Sequence, residues 1–388
     1  MIGMRTVYLD YAATTPVAPE VMKRMEPYFS EKYGNASSLH SLGREAKRAL
    51  EESRAAVAAF LKADPSEIVF TSGATEANNL AVKGTAMANR TKGKHVITSR
   101  IEHPCVMESC RWLEKQGFEV TYLPVDGNGL VDPAALEKAV RKDTILVSIM
   151  HANNEIGTVE PVKELAAVCQ KKGVAFHTDA VQAYGKVPLS MDGVSMLSAS
   201  GHKIYGPKGV GILFAKSGTR LEPLMSGGGH ERGFRSGTEN VAGAVGFAAA
   251  TELMRKEMAT EAERQTKLRD ALIKSMLSVP ESRLNGHATK RLPNNTNFSF
   301  AYIEGESLIL RLDDAGVMAS TGSACSSPKL EPSHVLLALG LPHALAHGSL
   351  RMTLGRTTMR QDVDYVAGVL PGIVEDLRKI SPFGKGRR

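Results

Sequence analysis

The sequence predicts an α/β protein: a large unit built on a mainly parallel seven-stranded sheet, with a smaller α+β unit beside it. Three observations carry this. Between about residues 65 and 215, seven short runs rich in β-branched residues alternate with helical stretches. A long charged helical pattern over about 252–279 ends that alternation. The remainder mixes an apolar run, 307–312, with helical patterns around 332–339 and 361–380. The expected division is a large unit over 15–255, with 1–14 and 256–388 forming the small one.

The strand runs, in order, are 67–70, 95–98, 119–123, 144–150, 174–178, 196–199 and 211–215. Amphipathic stretches such as 133–142 and 161–172 lie between them. Strand and helix in alternation build a largely parallel sheet covered on both faces. Ligands of such sheets bind beyond the carboxyl ends of the strands, so chemistry is sought in the residues that follow each run. Residues 6–9 have the pattern of a strand that pairs with the small unit.

The 388 residues are 43% hydrophobic and 23% charged, with 36 Gly, 18 Pro and four Cys, which excludes fibrous, collagenous and mainly disordered classes. Cys105, Cys110, Cys169 and Cys325 form no Cys-x-x-Cys pair, and no basic-then-apolar leader opens the chain. A reducing, cytoplasmic setting is expected. The longest apolar run, 241–250, falls short of the ~20 residues that a membrane helix needs. The net charge of +7 is spread among alternating acidic and basic residues, so direct nucleic-acid binding is not expected. A mildly basic surface suits an acidic protein partner or an anionic cofactor.

Five polar clusters follow the strand runs. After Phe70 comes Thr71-Ser72-Gly73-Ala74-Thr75-Glu76, which reads either as an anion site at a helix start or as a capping box. Glu102-His103-Pro104 follows the second run, His151 to Glu155 the fourth, and His177 to Gln182 the fifth. The sixth run leads into Ser200-Gly201-His202-Lys203-Ile204-Tyr205. Each cluster alone is compatible with caps and satisfied core groups, but together they project into one crevice. Asp179 is followed 24 residues later by Lys203, downstream of a phosphate-type helix start. That set suits pyridoxal 5'-phosphate, whose aldehyde needs an amine, whose ring nitrogen needs a carboxylate and whose phosphate needs an anion cradle.

With these motifs the chain resembles the NifS/IscS-type cysteine desulfurases, fold-type I pyridoxal-phosphate enzymes of the class V aminotransferase family. The matching stretches are Tyr8 to Thr15, Thr71 to Asn79, Glu102-His103, Ala152 to Gly157, His177 to Gln182, Ser200 to Pro207, Gly227 to Asn240 and Ser323-Ala324-Cys325. The resemblance implies that Lys203 bears the cofactor, that Asp179 meets its ring nitrogen and Gln182 its phenolic oxygen, and that His103 stacks on the ring. It implies phosphate contacts from Ala74, Thr75, Ser200 and His202, and one from Thr238 of a neighbouring subunit, hence a homodimer.

Cys325 stands among small residues with no apolar periodicity, which reads as an exposed loop, whereas Cys105, Cys110 and Cys169 read as packing residues. In the resemblance Cys325 is the sulfur acceptor. Lys203, displaced by the substrate amine, takes the α-proton of L-cysteine. The Cys325 thiolate then attacks the substrate sulfur and becomes a persulfide, and L-alanine leaves with His103 as acid or base. Arg351 and Asn154 would grip the substrate carboxylate, with Asn154 also beside the cofactor and Asn35 at the same entrance. The persulfide would pass to an iron-sulfur scaffold or a sulfur-relay protein for tRNA thiolation, with Cys325 a transient cluster ligand at most. The alternatives left open are a selenocysteine lyase, another aminotransferase-like activity, and a non-catalytic sulfur carrier subunit. His343 and His347 lack a third ligand for zinc, and no resident metal is expected.

Overall fold

Edge-to-edge pairing gathers seven strands into one sheet. The computed structural model describes residues 5–321 and 332–381. In chain order its strands are β1 (Val7–Tyr8), β2 (Ile68–Thr71), β3 (His95–Ser99), β4 (Glu119–Leu123), β5 (Thr144–Ser148), β6 (Ala175–Asp179), β7 (Met196–Ser200), β8 (Gly211–Ala215), β9 (Ser282–Leu284), β10 (Asn295–Phe300), β11 (Val317–Met318) and β12 (Ser349–Thr353). The large sheet has the order β2-β8-β7-β6-β5-β3-β4. Only β8 runs against its neighbours, β2 and β7; the other pairings in this sheet are parallel. β3, β5, β7 and β8 are buried at every position, as expected of strands covered on both faces. These seven strands lie within two residues of the runs read from the sequence. The strand order reverses between β3 and β5, and the carboxyl ends of all the parallel strands open on one edge of the sheet.

The helical pattern expected over 252–279 is the outer part of a longer helix, Val241–Met276. Its first third is buried almost all round, including Val245, Phe247 and Ala250, so it shows no amphipathic period to mark it as helix. Met254 packs in the core that contains Phe70, Ile97 and Phe176, while Leu268, Leu272 and Met276 pack in a second core with Val7, Leu9, Phe298 and Val366. One helix therefore enters both cores and passes without a break through residue 255.

The second core is covered by the antiparallel sheet β12-β10-β9, which has no counterpart among the sequence expectations. β1 pairs in parallel with β11, joining the amino-terminal segment to the carboxy-terminal part of the chain. Arg351 stands opposite Asn297 in the β10–β12 register, on the strand that faces the amino-terminal segment.

Candidate active site

At the end of β2 the chain turns through Gly73, whose φ of +155° disfavours any side chain, into the Ala74–Asn79 helix. Room for that turn comes from Gly211 at the start of β8, where a Cβ would lie 2.7 Å from the Gly73 carbonyl carbon. No side chain caps the helix: the Thr71 hydroxyl donates to Gly73 O at 3.0 Å, and Glu76 reaches back to accept from Ser72 N at 2.8 Å. The capping box is thus only half made. The first-turn N–H groups of Ala74 and Thr75 have no helical carbonyl to meet, which leaves donors for an anion.

β7 ends at Ser200, and a single 3₁₀ turn, Gly201–Lys203, lifts the lysine over the sheet edge. The Lys203 ammonium donates to Ala12 O at 2.6 Å and Ala13 O at 2.7 Å, so the Tyr8 to Thr15 stretch forms the roof of the site. His202 Nδ1 lies 3.1 Å from Thr14 Oγ1. Burial, aided by Lys203, Lys208 and Lys186, lowers the His202 pKa to about 4, so the ring is neutral at physiological pH. Two residues after Lys203, Tyr205 adopts φ +65°, a strained conformation for a bulky residue. It is held there by Thr15 Oγ1 accepting from Tyr205 N at 2.8 Å, and by the Tyr205 hydroxyl accepting from Arg356 N at 2.8 Å.

On the neighbouring strand, β6, Asp179 is buried. Its Oδ1 accepts from Val181 N at 3.0 Å and its Oδ2 from Asn78 Nδ2 at 2.6 Å. Three residues later Gln182 donates from Nε2 to Ala12 O at 3.0 Å and accepts at Oε1 from Lys186 Nζ at 3.2 Å. His177, two residues before Asp179, points elsewhere. It is fully buried between Ser148 Oγ at 2.8 Å and Ser198 Oγ at 3.0 Å, and burial lowers its pKa to about 3. Its work is structural.

His103 caps the Pro104–Lys115 helix, accepting at Nδ1 from Cys105 N at 3.2 Å, with Cys105 Sγ 3.0 Å away. Nδ1 is therefore the acceptor, and the neutral ring carries its proton on Nε2. Burial lowers the His103 pKa; Asp179 opposes that shift, and Lys203 and His334 add to it. Cys105 is half-buried against this ring, while Cys110 and Cys169 are enclosed in core clusters. Burial pushes all three thiols up to about 12.

Arg351, buried on β12, donates from Nη2 to Asp10 Oδ1 at 2.8 Å and from Nη1 to Asn154 O at 3.1 Å, while its Nε has no partner. Asn35 is exposed and its Oδ1 accepts from Ser37 N at 2.8 Å, in a local turn. Thr238 is also exposed, on a loop tied down twice. Glu231 forms a buried two-pronged ion pair with Arg54 at 2.7 and 2.8 Å, and Arg235 pairs with Glu76 at 3.0 Å. Cys325 lies outside the described residues. Among the described residues no cluster of three or more His, Cys, Asp and Glu could hold a metal ion, and no helix is long and apolar enough to cross a membrane.

The structure thus brings Lys203, Asp179, Gln182, His103 and His202 to one edge of the sheet. Asn78 and Glu102 stand in motifs read from the sequence, without a role of their own, and Lys186 stands in none. Asn78 is a buried amide between Ala77 and the polar Asn79, and no local pattern marks it.

Residues 7–366 match the family described as aminotransferase class-V. The chain belongs to that family. Among class-V relatives, the cysteine desulfurase IscS of Dictyoglomus turgidum is 56% identical over 382 residues, covering 98% of this chain and 97% of the relative. A solved NifS-like protein superposes with a TM-score of 0.91 at 40% identity, covering 96% of this chain and 100% of its own. A structure titled SspA in complex with cysteine gives 0.80 at 37%, covering 90% and 99%. The fold is that of the fold-type I pyridoxal-phosphate enzymes, and pyridoxal 5'-phosphate is the cofactor of this class-V family. The residues present fit that group: a lysine, a buried carboxylate and open helix-start donors follow β7, β6 and β2 of one sheet, and the buried Asn78 Oδ1 has no partner.

Proposed function

We propose that this class-V protein is a cysteine desulfurase, taking sulfur from L-cysteine and leaving L-alanine. The observation that carries the reading is the grouping of Lys203, Asp179 and His103 at the ends of β7, β6 and β3, in a chain 56% identical to a cysteine desulfurase over nearly its whole length. Bound there, pyridoxal 5'-phosphate supplies a ring that withdraws electrons from the substrate α-carbon.

The chain's own residues do the rest. Lys203 holds the cofactor at rest and, once freed, moves the α-proton. Asp179, whose carboxylate oxygens accept from Val181 N and Asn78 Nδ2, would accept the ring N–H. Gln182 would meet the phenolic oxygen, and the turn at Ala74 and Thr75, with Ser200 and His202, would hold the phosphate. His103 would stack on the ring, with its Nε2–H available for proton transfer. Arg351, with Asn154 beside it, exchanges its bond to Asp10 for the substrate carboxylate, and Asn35 lines the approach. The Cys325 thiolate attacks the substrate sulfur: an S–S bond forms, the Cβ–S bond breaks with its electron pair going to carbon, and a proton completes L-alanine.

The Cys325 persulfide then passes to an iron-sulfur scaffold or a sulfur-relay protein, in the cytoplasm. Exposure of Thr238 on a doubly tethered loop supports a homodimer in which this residue serves the partner's phosphate. The large unit 15–255 carries the cofactor, and the small unit, 1–14 with 256–388, carries Cys325. Alanine and sulfide released from L-cysteine by the cofactor-loaded protein, with a thiol reductant, test this reading. Equal yields are expected from the parent and neither product from Cys325→Ser, which keeps its coloured cofactor, whereas Lys203→Ala loses the band. A folded, loaded parent that releases neither product would overturn the assignment.

A further inference from the structure

A glutamine amide offers two ends of nearly equal shape, one donating and one accepting, and its partners decide which end faces a ligand. At Gln182 the deciding partner is Lys186. Its ammonium, a donor only, sits 3.2 Å from Oε1, so the accepting end is already engaged and the NH₂ end is turned to the site. The NH₂ end meets Ala12 O at 3.0 Å, the same carbonyl that receives the Lys203 ammonium at 2.6 Å. Lys186, Gln182, Ala12 O and Lys203 therefore form one connected chain. Lys186 and Lys203 also line one cavity, with Tyr11, Tyr205, Glu261 and Arg356 as its other titratable or charged walls. Keeping a cation here is costly: burial, with Lys203 and Arg351 adding to it, lowers the Lys186 pKa to about 7.

We propose that Lys186 is a positioning residue, which by holding Oε1 of Gln182 makes the amide present its NH₂ end to the phenolic oxygen of the cofactor. This rests on the reading of Gln182 given above. The consequence is selectivity for the ionised form of that oxygen, since an N–H group stabilises an oxyanion and an amide oxygen repels it. A donor on the oxygen favours loss of the proton from the Lys203 nitrogen in the loaded protein, and Lys186 acts on it through Gln182.

The test is the pH titration of the visible absorbance of the cofactor-loaded protein, together with the rate of cofactor loss on dilution. Lys186→Met is expected to raise the titration midpoint by about one pH unit, the equivalent of tenfold, and to speed cofactor loss several-fold. Lys186→Arg restores the parental midpoint. Gln182→Leu shifts the midpoint in the same direction, and the double variant matches Gln182→Leu alone, because Lys186 acts through that side chain. Should Lys186→Met not fold, Lys186→Ala carries the same expectation. A parental midpoint in Lys186→Met beside a shifted one in Gln182→Leu overturns the proposal and leaves the reading of Gln182 standing. A parental midpoint in both overturns that reading and the proposal with it. Additive shifts in the double variant overturn the positioning role.

Discussion

Asn78 and Asp179 lie 101 residues apart in the chain and are joined by a 2.6 Å hydrogen bond between two buried side chains. The amide donates, which fixes the orientation of the carboxylate that is proposed to accept the ring N–H. Hydrogen bonds to charged groups contribute about 1.5–3 kcal/mol. Asn78→Ala is therefore expected to weaken cofactor binding at least about tenfold in an absorbance or fluorescence titration. An unchanged dissociation constant would show that Asp179 needs no help.

Arg351 is already paired with Asp10, so a substrate carboxylate bound there, as proposed, would compete with Asp10. Removing the guanidinium through Arg351→Ala is expected to raise KM for L-cysteine by tenfold or more, in line with the loss of a charge-assisted, two-pronged contact. The loaded protein's absorbance should stay parental, because the role proposed for Arg351 is with the substrate and not the cofactor. A fall in kcat at unchanged KM would contradict the substrate-carboxylate role.

The Arg54–Glu231 pair, with both side chains nearly inaccessible, also receives Phe70 N on Glu231 Oε2 at 2.9 Å. Breaking a buried pair from one side leaves an uncompensated charge and costs about 3–5 kcal/mol. Glu231→Ala is expected to lose stability of that order in denaturant unfolding and to loosen the loop that carries Thr238. Exposed pairs such as Lys267–Glu263 should cost under about 1 kcal/mol when broken. Similar losses at both places would discount the buried pair.

Glu102 is fully buried, and burial raises its carboxyl pKa to about 8 against the opposing bonds from Ser99 Oγ at 2.6 Å and Met150 N at 3.0 Å. Below pH 4.5, its ordinary value, both folded and unfolded chains hold the proton and the contribution to stability is complete. As pH rises from there to about 8, only the folded chain retains the proton, and stability falls. Glu102→Gln removes this slope, so thermal melts should favour the variant more at pH 8 than at pH 5. An equal difference at the two pH values would place the proton elsewhere.

What the sequence disclosed follows from periodicity. The seven runs of the large sheet are apolar and regularly spaced, and the polar clusters after them carry the order of the site residues Asp179, Lys203 and His103. β10 stayed hidden because four of its six residues, Asn295, Thr296, Asn297 and Ser299, are polar yet buried. Their partners are distant groups, such as Glu155 O for Asn297 and Met352 O for Thr296, which no local pattern announces. Asn78 and Lys186 were missed for the same reason. Each matters through one bond to another side chain, a relation that only the folded chain supplies. The beginning of the Val241–Met276 helix was missed because full burial erases the amphipathic stripe.

The pairing of β1 with β11 also has a temporal side. Val7 meets Val317, so the first strand to leave the ribosome waits through 310 residues of synthesis, roughly 15 to 60 s at ordinary elongation rates, before its partner exists. Asp10 waits longer still for Thr353. Between these anchors and Lys203 lie Ala12 and Ala13, whose carbonyls cap the ammonium. The large sheet has emerged in full long before then, and the lysine at its edge receives its roof only when translation is nearly over.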